Sequence, residues 1–437
     1  MDRTSRRETV AVMVAEGKDK VEALLEKGVA IPSPQTVFIG KEVSFDRISG
    51  DGVVVYPGCR ILGAETLIMA GAKLGYEGPV TIEDCQVGPN VELRGGFFRK
   101  SVFLEKASMG YGAQVREGCI LEEESSGAHS VGLKQTILFP FVTLGSLINF
   151  CDCLMAGGTS RENHSEVGSS YIHFNYTVNQ DKATPSLIGD VPRGVMLNQP
   201  PVFLGGQGAL VGPVQLEYGT VIAAGVVCRK DVLERGRLVL AQVLCREGIE
   251  KVDHVSKAHP GVYWYLKRRV IKNVYYLANL VALLQWYVEI RSLFLRGDAM
   301  SEGLHQGLLD KLQMAIKERI KRFKALAQKM PESADRYRSI MKGEAKDRLL
   351  RQKQEFFDRW QDLEGVFAEN LENRGDASIR EPFVERLARD IKEEGTDYVR
   401  VIQGLDRSWS AEGTKWLQGI VETVKAQAFQ VMPSFEQ

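Results

Sequence analysis

The stretch that decides the fold is residues 174–230, FNYTVNQDKATPSLIGDVPRGVMLNQPPVFLGGQGALVGPVQLEYGTVIAAGVVCRK. It contains pairs in which an aliphatic residue precedes glycine: Ile188-Gly189, Leu204-Gly205 and Val211-Gly212. Glycine suits a tight corner because it has no Cβ in the way of the turning backbone. Short strands and corners at a six-residue period are typical of a parallel β-helix, whose stacked coils bury a common core.

The same period extends outward from this stretch in the N-terminal direction. It begins near Thr36, with Val37-Phe-Ile-Gly40, and recurs in segments such as Val87-Gly-Pro-Asn-Val91. We therefore predict a hexapeptide-repeat β-helix over residues 35–245. Residues 1–34 precede it as an N-terminal helix and linker, because apolar residues recur at helical spacing over residues 5–28.

The pattern changes after the β-helix. Residues 256–295 carry bulky apolar groups at helical spacing, and charged helices are predicted at roughly 302–330, 333–371, 378–395 and 411–430. We predict an all-α bundle domain over residues 256–437. It contains no catalytic motif, so oligomerisation or binding of a protein partner is its expected role.

Composition limits the possible functions. The chain has 437 residues, enough for two domains, and 44% of them are hydrophobic. Its 56 basic and 56 acidic residues balance, which gives no case for nucleic acid or an anionic membrane as partner. Cysteine spacing indicates neither a disulfide framework nor a metal site. The N-terminus lacks the apolar core of a signal peptide, and no apolar run is long enough to span a bilayer, so we predict a cytoplasmic protein.

Charged residues recur at the spacing of one coil, roughly 18 residues. Arg116 and Lys134 are 18 residues apart, and Asp152 follows after another 18. This spacing predicts a column of charge on one side of the β-helix. A guanidinium above an ammonium suits a phosphate group, although a solvated ladder without a ligand would show the same spacing.

Several segments resemble one enzyme family. Asn175-Tyr176, Lys182 and Ile188-Gly-Asp190, followed by Phe203 to Gly225, resemble the acetyltransferase domain of the bacterial bifunctional glucosamine-1-phosphate acetyltransferase/N-acetylglucosamine-1-phosphate uridylyltransferase. The resemblance implies a left-handed β-helix that forms homotrimers. It also implies that acetyl-CoA lies along the outside of the β-helix, between neighbouring subunits. The family's uridylyltransferase domain has no counterpart here, so we do not expect pyrophosphorylase activity.

The resemblance also implies roles for individual residues. Arg116 and Lys134 match segments that bind the sugar phosphate. We expect further substrate contacts from Asn149, Asp152, Arg161 and Lys182. The residues expected along acetyl-CoA are Asn175, Tyr176, Gly206 and Ala224.

The family's catalytic histidine is missing from its position, where this chain has Ser146. A serine alone cannot serve as the base that deprotonates an amine near neutral pH. Just downstream, residues 157–168 form an extra segment with the composition of a ligand-binding loop. It contains His164, our first candidate for the base, with Glu166 as its partner. His173 is the second candidate, and both could also be ordinary structural histidines.

Two functions remain open at this point. The first is an N-acetyltransferase that acts on an amino-sugar phosphate or a nucleotide sugar of the UDP-N-acetylglucosamine type. The second is a non-catalytic trimeric β-helix that binds a sugar nucleotide or scaffolds partners through its helical domain.

Overall fold

The computed structural model describes residues 20–179, 181–240, 259–341 and 346–436. A parallel β-solenoid of about eleven turns is followed by a helical region. This confirms the predicted order of a β-helix and an all-α part. Residues 20–26 are helical and form α1, whereas the earlier part of the predicted N-terminal helix and the predicted end of the β-helix at residue 245 lie outside the described residues.

The coils form a triangular prism with three walls, which we number in the order the chain visits them. Wall 1 consists of β2 (Val54–Val55), β5 (Lys73–Leu74), β8 (Glu92–Leu93), β11 (Ser108–Met109), β14 (Ser126–Gly127), β16 (Thr143–Leu144), β20 (Glu166–Val167), β23 (Phe203–Leu204), β26 (Val221–Ile222) and β28 (Leu238–Val239). Wall 2 consists of β1 (Phe38–Ile39), β3 (Arg60–Leu62), β6 (Val80–Glu83), β9 (Gly96–Arg99), β12 (Ala113–Val115), the first halves of β15 (Gly132–Leu138) and β17 (Asn149–Met155), β21 (Ile172–Phe174), β24 (Ala209–Val211) and β27 (Val227–Cys228). Wall 3 consists of β4 (Leu67–Ile68), β7 (Gln86–Val87), β10 (Ser101–Phe103), β13 (Cys119–Leu121), the second halves of β15 and β17, β22 (Ser186–Ile188) and β25 (Gln215–Leu216).

Walls 1 and 2 present their outer side to solvent. On wall 1 the residue before each corner, such as Leu144, Val167 or Leu204, points into the prism and is buried. Its neighbour in the strand points outward and is at least partly exposed, because side chains alternate along a strand. The apolar residue before each glycine therefore builds the core that the six-residue period predicted.

Wall 3 is buried on both sides. Its outward column is in register with Gln86 and contains apolar residues that are fully or nearly fully buried: Val102, Ile120, Ile137, Leu154 and Leu187. The helical region covers this column, chiefly through the long helix α5 (Ala299–Gln328). Burying an apolar column of this kind stabilises the docking by roughly 25 cal/mol for each Å² removed from water.

The remaining helices pack against α3 (Leu266–Trp286), which is buried on nearly all sides, or against one another. They are α2 (Val191–Gly194), α4 (Ser292–Phe294), α6 (Met330–Met341), α7 (Asp347–Asp358), α8 (Trp360–Asn370), α9 (Ala377–Glu394), α10 (Tyr398–Gly404) and α11 (Arg407–Val431). The single helix predicted over residues 333–371 is thus divided among α6, α7 and α8. Several helices begin at an aspartate whose carboxylate accepts backbone N–H groups, for example Asp298 and Asp406. Within the described ranges no helix combines the length and apolarity needed to cross a bilayer.

A buried ion cluster joins the helical region to the β-helix. Arg291 lies in the π-helical turn after α3 (Tyr287–Arg291) and is 1% exposed. Its guanidinium donates to Glu123 at 2.5 Å and to Glu122 at 2.7 Å, and the Tyr287 hydroxyl donates to Glu122 at 2.5 Å. Burial raises the pKa of Glu122 to about 7, although Arg291 opposes this effect. One guanidinium therefore neutralises two carboxylates only in part.

Helix α5 approaches wall 3 through two glycines one turn apart. A Cβ on Gly303 would lie 3.0 Å from Leu67, and a Cβ on Gly307 would lie 2.5 Å from Gln86. We expect Gly307→Ala to lower the free energy of unfolding by about 1–3 kcal/mol, because the added methyl group must displace either the helix or the buried Gln86 side chain, which donates to the Glu65 carbonyl. Denaturant unfolding measures this change.

A glycine with open surroundings provides the matched control. Gly419 lies in α11, and nothing stands within 4 Å of its would-be Cβ. Gly419→Ala should therefore stabilise the protein by about 0.5–1 kcal/mol through helix propensity alone. Equal effects of the two substitutions would contradict the close approach of α5.

Candidate functional site

Most of the predicted site residues lie at or near the three edges where the walls meet. We call the edge between walls 2 and 3, with Arg116 and Lys134, the basic corner. The edge between walls 1 and 2, with Ser146 and Ser169, is the serine corner. The edge between walls 3 and 1 carries an antiparallel hairpin, β18 (Gly158–Ser160) and β19 (Asn163–His164), and is the hairpin corner.

The basic corner contains the predicted stack of two cations. Val115 is in register with Leu133, so Arg116 and Lys134 follow directly above one another on adjacent coils. Arg116 is exposed, and Lys134 lies 3.3 Å from Glu117 in a partly exposed ion pair. The predicted spacing for this pair is thus correct.

Asp152 does not continue the column. Lys134 is in register with Cys151, because this coil is one residue shorter than the coil before it. Asp152 is 5% exposed, and its carboxylate accepts from Arg319 of α5 at 2.9 Å and from Asn175 at 2.5 Å. Its predicted role in substrate binding is therefore replaced by an internal one, which also engages the side-chain amide of Asn175.

The pKa of the Cys151 thiol depends on the charged groups of this corner. Burial raises the pKa of Cys151, and Asp152 adds to the increase. Arg116, Lys182 and Lys134 oppose it, so all three cations lie close enough to act on the same atom. The basic corner thus brings three cations, together with Asp152, near one thiol.

A groove of about 670 Å³ runs between the basic corner and α5. Lys134 lines its β-helix side, and Lys317, Lys321 and Arg322 line its helical side. Acidic side chains line it as well, and one of them, Glu318, forms an ion pair with Arg322 at 2.6 Å. The groove is therefore polar and open, as suits a hydrated, charged ligand.

The hairpin corner holds the first predicted base. His164 donates from Nδ1 to the carbonyl of Arg161 at 2.7 Å, and its Nε2 lies 3.9 Å from the Glu166 carboxylate. The Arg161 guanidinium donates to two groups of the same corner, the carbonyl of Glu124 at 2.9 Å and Thr143 Oγ1 at 2.8 Å. His164 and Glu166 thus lie together as predicted, but on a different edge of the prism from Arg116 and Lys134.

His173, the second predicted base, is a core residue. It is 2% exposed, donates from Nδ1 to the Cys151 carbonyl at 2.5 Å and accepts at Nε2 from Ser186 Oγ at 2.7 Å. Burial lowers its pKa, so the ring stays neutral. With both nitrogens bonded inside the protein, His173 cannot take a proton from a substrate.

The predicted cofactor track lies along the serine corner. The register of Val167, Leu204 and Ile222 places Gly206 and Ala224 in one column above Ser169. A Cβ on Gly206 would lie 2.9 Å from the carbonyl oxygen of Ser169. Close stacking of the coils therefore requires a small residue at Gly206, whether or not a ligand lies beside it.

Two predicted residues remain on exposed surface. Asn149 faces outward on wall 2, in register with Gly132 and Ile172. Tyr176 is 58% exposed, in the loop that leaves the basic corner. Asn149 Oδ1 accepts from the Cys151 thiol at 3.6 Å, whereas the ring of Tyr176 is largely open to solvent.

The sequence did not indicate one histidine at the serine corner. His129 Nδ1 lies 2.7 Å from Ser146 Oγ, and the Ser146 N–H donates to Ser169 Oγ at 3.2 Å. His129 lies one coil before Ser146, at a spacing of 17 residues, because Gly127 is in register with Leu144. A search for residues 18 apart misses this pair. The sequence did contain a usable signal, because His129 precedes Ser146, at the family's histidine position, by one coil of 17 residues.

Known proteins similar to this chain share its β-helix part. The "Bifunctional protein GlmU" of Thermotoga maritima is 30% identical over 217 residues, 49% of this chain and 42% of that protein. The protein of the same name from Acinetobacter baumannii is 27% identical over 259 residues, 55% of this chain and 46% of that protein. The chain thus spans less than half the length of these relatives. No family model matches it. About half of this chain is homologous to the acetyltransferase region of GlmU, and it folds as a β-helix domain of that acetyltransferase-like, hexapeptide-repeat type.

Proposed function

We propose that this protein transfers an acetyl group from acetyl-CoA to the amine of an amino sugar that carries a phosphate or nucleoside diphosphate. The observation that carries the proposal is the stack of Arg116 and Lys134 at the basic corner, with Lys182 close by. Homology to the GlmU acetyltransferase region supports the use of an acyl-CoA donor. The two stacked cations supply the charge-assisted hydrogen bonds that a phosphate dianion requires.

The chemistry follows from these groups. With the phosphate held at the basic corner, the amine attacks the thioester carbonyl, the new C–N bond forms, and the C–S bond breaks. A general base takes the proton that the amine loses, and the CoA thiolate is protonated as it leaves. Backbone N–H groups at a coil corner stabilise the oxyanion of the tetrahedral intermediate.

A complete site needs more than one chain in this proposal. The basic corner, the serine corner and the hairpin corner are separate edges of one prism, so they cannot meet within a single chain. The helical region already covers wall 3, whereas no described helix covers the outer side of walls 1 and 2. Near the C-terminal coils they expose apolar side chains in register, Phe203, Val221 and Leu238 on wall 1 and Ile172 and Val227 on wall 2. A homotrimer would cover these side chains and bring corners of neighbouring chains together.

The decisive measurement is the release of free CoA thiol from acetyl-CoA in the presence of a panel of amino-sugar phosphates and nucleotide amino sugars. We expect release that depends on the sugar. Arg116→Ala should lower kcat/KM by about 10²-fold, because a phosphate loses charged hydrogen bonds worth roughly 1.5–3 kcal/mol each.

Arg60→Ala is the matched control, since Arg60 is an exposed arginine on the same wall, near its N-terminal end. Its turnover should equal that of the wild type. If no sugar in the panel stimulates release by the folded protein, the proposed acetyl transfer is wrong.

A non-catalytic role is the second candidate, and Ser146 favours it because this residue occupies the position of the family's catalytic histidine. In this case the basic corner binds a sugar phosphate or a UDP-N-acetylglucosamine-type nucleotide without reacting, and the helical region docks a protein partner. Titration calorimetry that shows sugar-phosphate binding, dependent on Arg116, without thioester cleavage would select this function.

A further inference from the structure

We propose that His129 is the general base of this site and that Ser146 is the residue that positions its ring. This inference rests on the acetyl transfer proposed above. The observation is a hydrogen bond between His129 Nδ1 and Ser146 Oγ of 2.7 Å, at the corner that also carries Gly206 and Ala224. No predicted base lies on that corner.

Stacking of adjacent coils places a histidine beside Ser146, the residue at the position where the family has its catalytic histidine. Gly127 is in register with Leu144, so His129 lies directly beside Ser146 on the preceding coil, at the inter-strand spacing of about 4.8 Å. The imidazole of His129 therefore lies one coil from Ser146, and the hydrogen bond holds it against that residue. Backbone bonds fix the geometry on both sides: the Leu147 N–H donates to the His129 carbonyl at 3.1 Å, and the Ser170 N–H donates to the Ser146 carbonyl at 2.8 Å.

The hydrogen bond has a consequence for the tautomer. When Nδ1–H donates to Ser146 Oγ, the lone pair of Nε2 is free, and the ring can accept a proton there. Within the described residues nothing bonds Nε2 of His129, and the side chain lies on exposed surface. A base whose second nitrogen is held by a hydrogen bond is the arrangement that general-base histidines use.

The other described histidines fit the role less well. His164 lies on the hairpin corner with Nε2 turned toward Glu166. His173 is buried with both nitrogens bonded. His259 and His305 belong to the helical region, where His305 bonds the Tyr287 carbonyl at 2.9 Å. Among these residues, His129 alone shares a corner with the column of small residues.

In the proposed step one proton passes from the amine to the leaving thiolate through His129. The amine nitrogen attacks the thioester carbonyl, and the resulting N–H proton passes to Nε2 of His129. The C–S bond then breaks with its electron pair on sulfur, and the thiolate takes the proton back from the imidazolium. The products are the amide and free CoA thiol, and His129 is regenerated.

The test compares single variants by CoA release under saturating sugar phosphate. His129→Ala should lower kcat by about 10²–10⁴-fold with a much smaller change in KM, because binding at the basic corner is intact. It should also remove the acidic limb of the kcat–pH profile, which reports deprotonation of the base. Arg60→Ala should leave both quantities unchanged. Thermal unfolding of each variant verifies that the fold is intact.

A double variant separates a catalytic role from a merely structural one. Ser146→His combined with His129→Ala returns an imidazole to the corner on the neighbouring coil, and we expect it to recover at least tenfold of the lost turnover. Ser146→Ala alone should shift the acidic limb of the pH profile and lower kcat by less than His129→Ala does. Turnover that survives His129→Ala unchanged overturns the assignment of the base and leaves acetyl transfer standing. Absence of turnover in the wild type overturns acetyl transfer itself.

Discussion

Arg291→Met is expected to lower the free energy of unfolding by about 3–5 kcal/mol at neutral pH, because it leaves two buried carboxylates without their cation. Arg291 is 1% exposed, and its guanidinium bonds Glu122 and Glu123 while packing over the ring of Tyr398 at 3.3 Å. Methionine replaces much of the packing but none of the charge. Denaturant unfolding at pH 7 measures the loss.

The pH dependence of this loss gives a second readout. Burial raises the folded-state pKa of Glu122 from 4.5 to about 7. A group with a raised folded pKa favours the folded state fully at a pH below its unfolded value and loses that contribution as the pH rises through the folded value. The deficit of Arg291→Met should therefore be largest above pH 7 and smaller at pH 5, where the carboxylates take up protons more readily.

Two further variants act as controls. Arg336→Met removes an ion pair with Glu332 that is largely exposed on α6, and it should cost no more than about 1 kcal/mol. Adding Glu122→Gln and Glu123→Gln to Arg291→Met should restore most of the lost stability, because no uncompensated charge then remains. A loss below about 1 kcal/mol in Arg291→Met alone would contradict the importance of the cluster.

Mixing two inactive variants is expected to restore activity. Arg116 and His129 lie on different corners, so a site that uses both takes one from each of two neighbouring chains. If the chain forms the proposed homotrimer, about a quarter of the sites in an equal mixture of Arg116→Ala and His129→Ala receive both wild-type residues. CoA release should rise from background to about a quarter of the wild-type rate after the subunits are co-expressed or exchanged.

A second mixture is the matched control. Arg116 and Lys134 lie on the same corner of the same chain, so every site in a mixture of Arg116→Ala with Lys134→Ala lacks one of them. This mixture should remain as inactive as its components. Restoration in both mixtures, or in neither, would contradict a site shared between corners of neighbouring chains.

The sequence predicted the walls well because each coil repeats the same requirement, an apolar residue inside and a small residue at the corner. It predicted the stack of Arg116 and Lys134 for the same reason, since that coil has the usual 18 residues. The next coil has 17, and one missing residue moved Asp152 out of the column and into a bond with Arg319. The same shorter spacing concealed His129 beside Ser146.

The role of wall 3 could not be predicted from the repeat. Residues such as Ile120 and Leu154 have the composition of a core in any β-helix, and nothing in the repeat distinguishes an outward column that a helix covers. From the sequence alone, Gly303 and Gly307 are simply residues of low helix propensity. Only the structure shows that they face Leu67 and Gln86 and allow α5 to approach wall 3. The segment with His164 forms a hairpin at a corner, but the edge of the prism on which it lies depends on the number of residues in every preceding coil.

The bond between Arg319 and the basic corner has a consequence for communication within the molecule. Its guanidinium donates to Asp152 and also to the carbonyl of Lys182 at 2.9 Å. One side chain of α5 thus holds both a buried carboxylate and the backbone of this corner in place. A molecule that draws α5 away must break these bonds and disturb the corner, which weakens the affinity for an anion there. Thermodynamic reciprocity requires that an anion held at the corner opposes that molecule by the same factor. If the basic corner binds the proposed phosphate, its occupancy is therefore coupled to the position of α5.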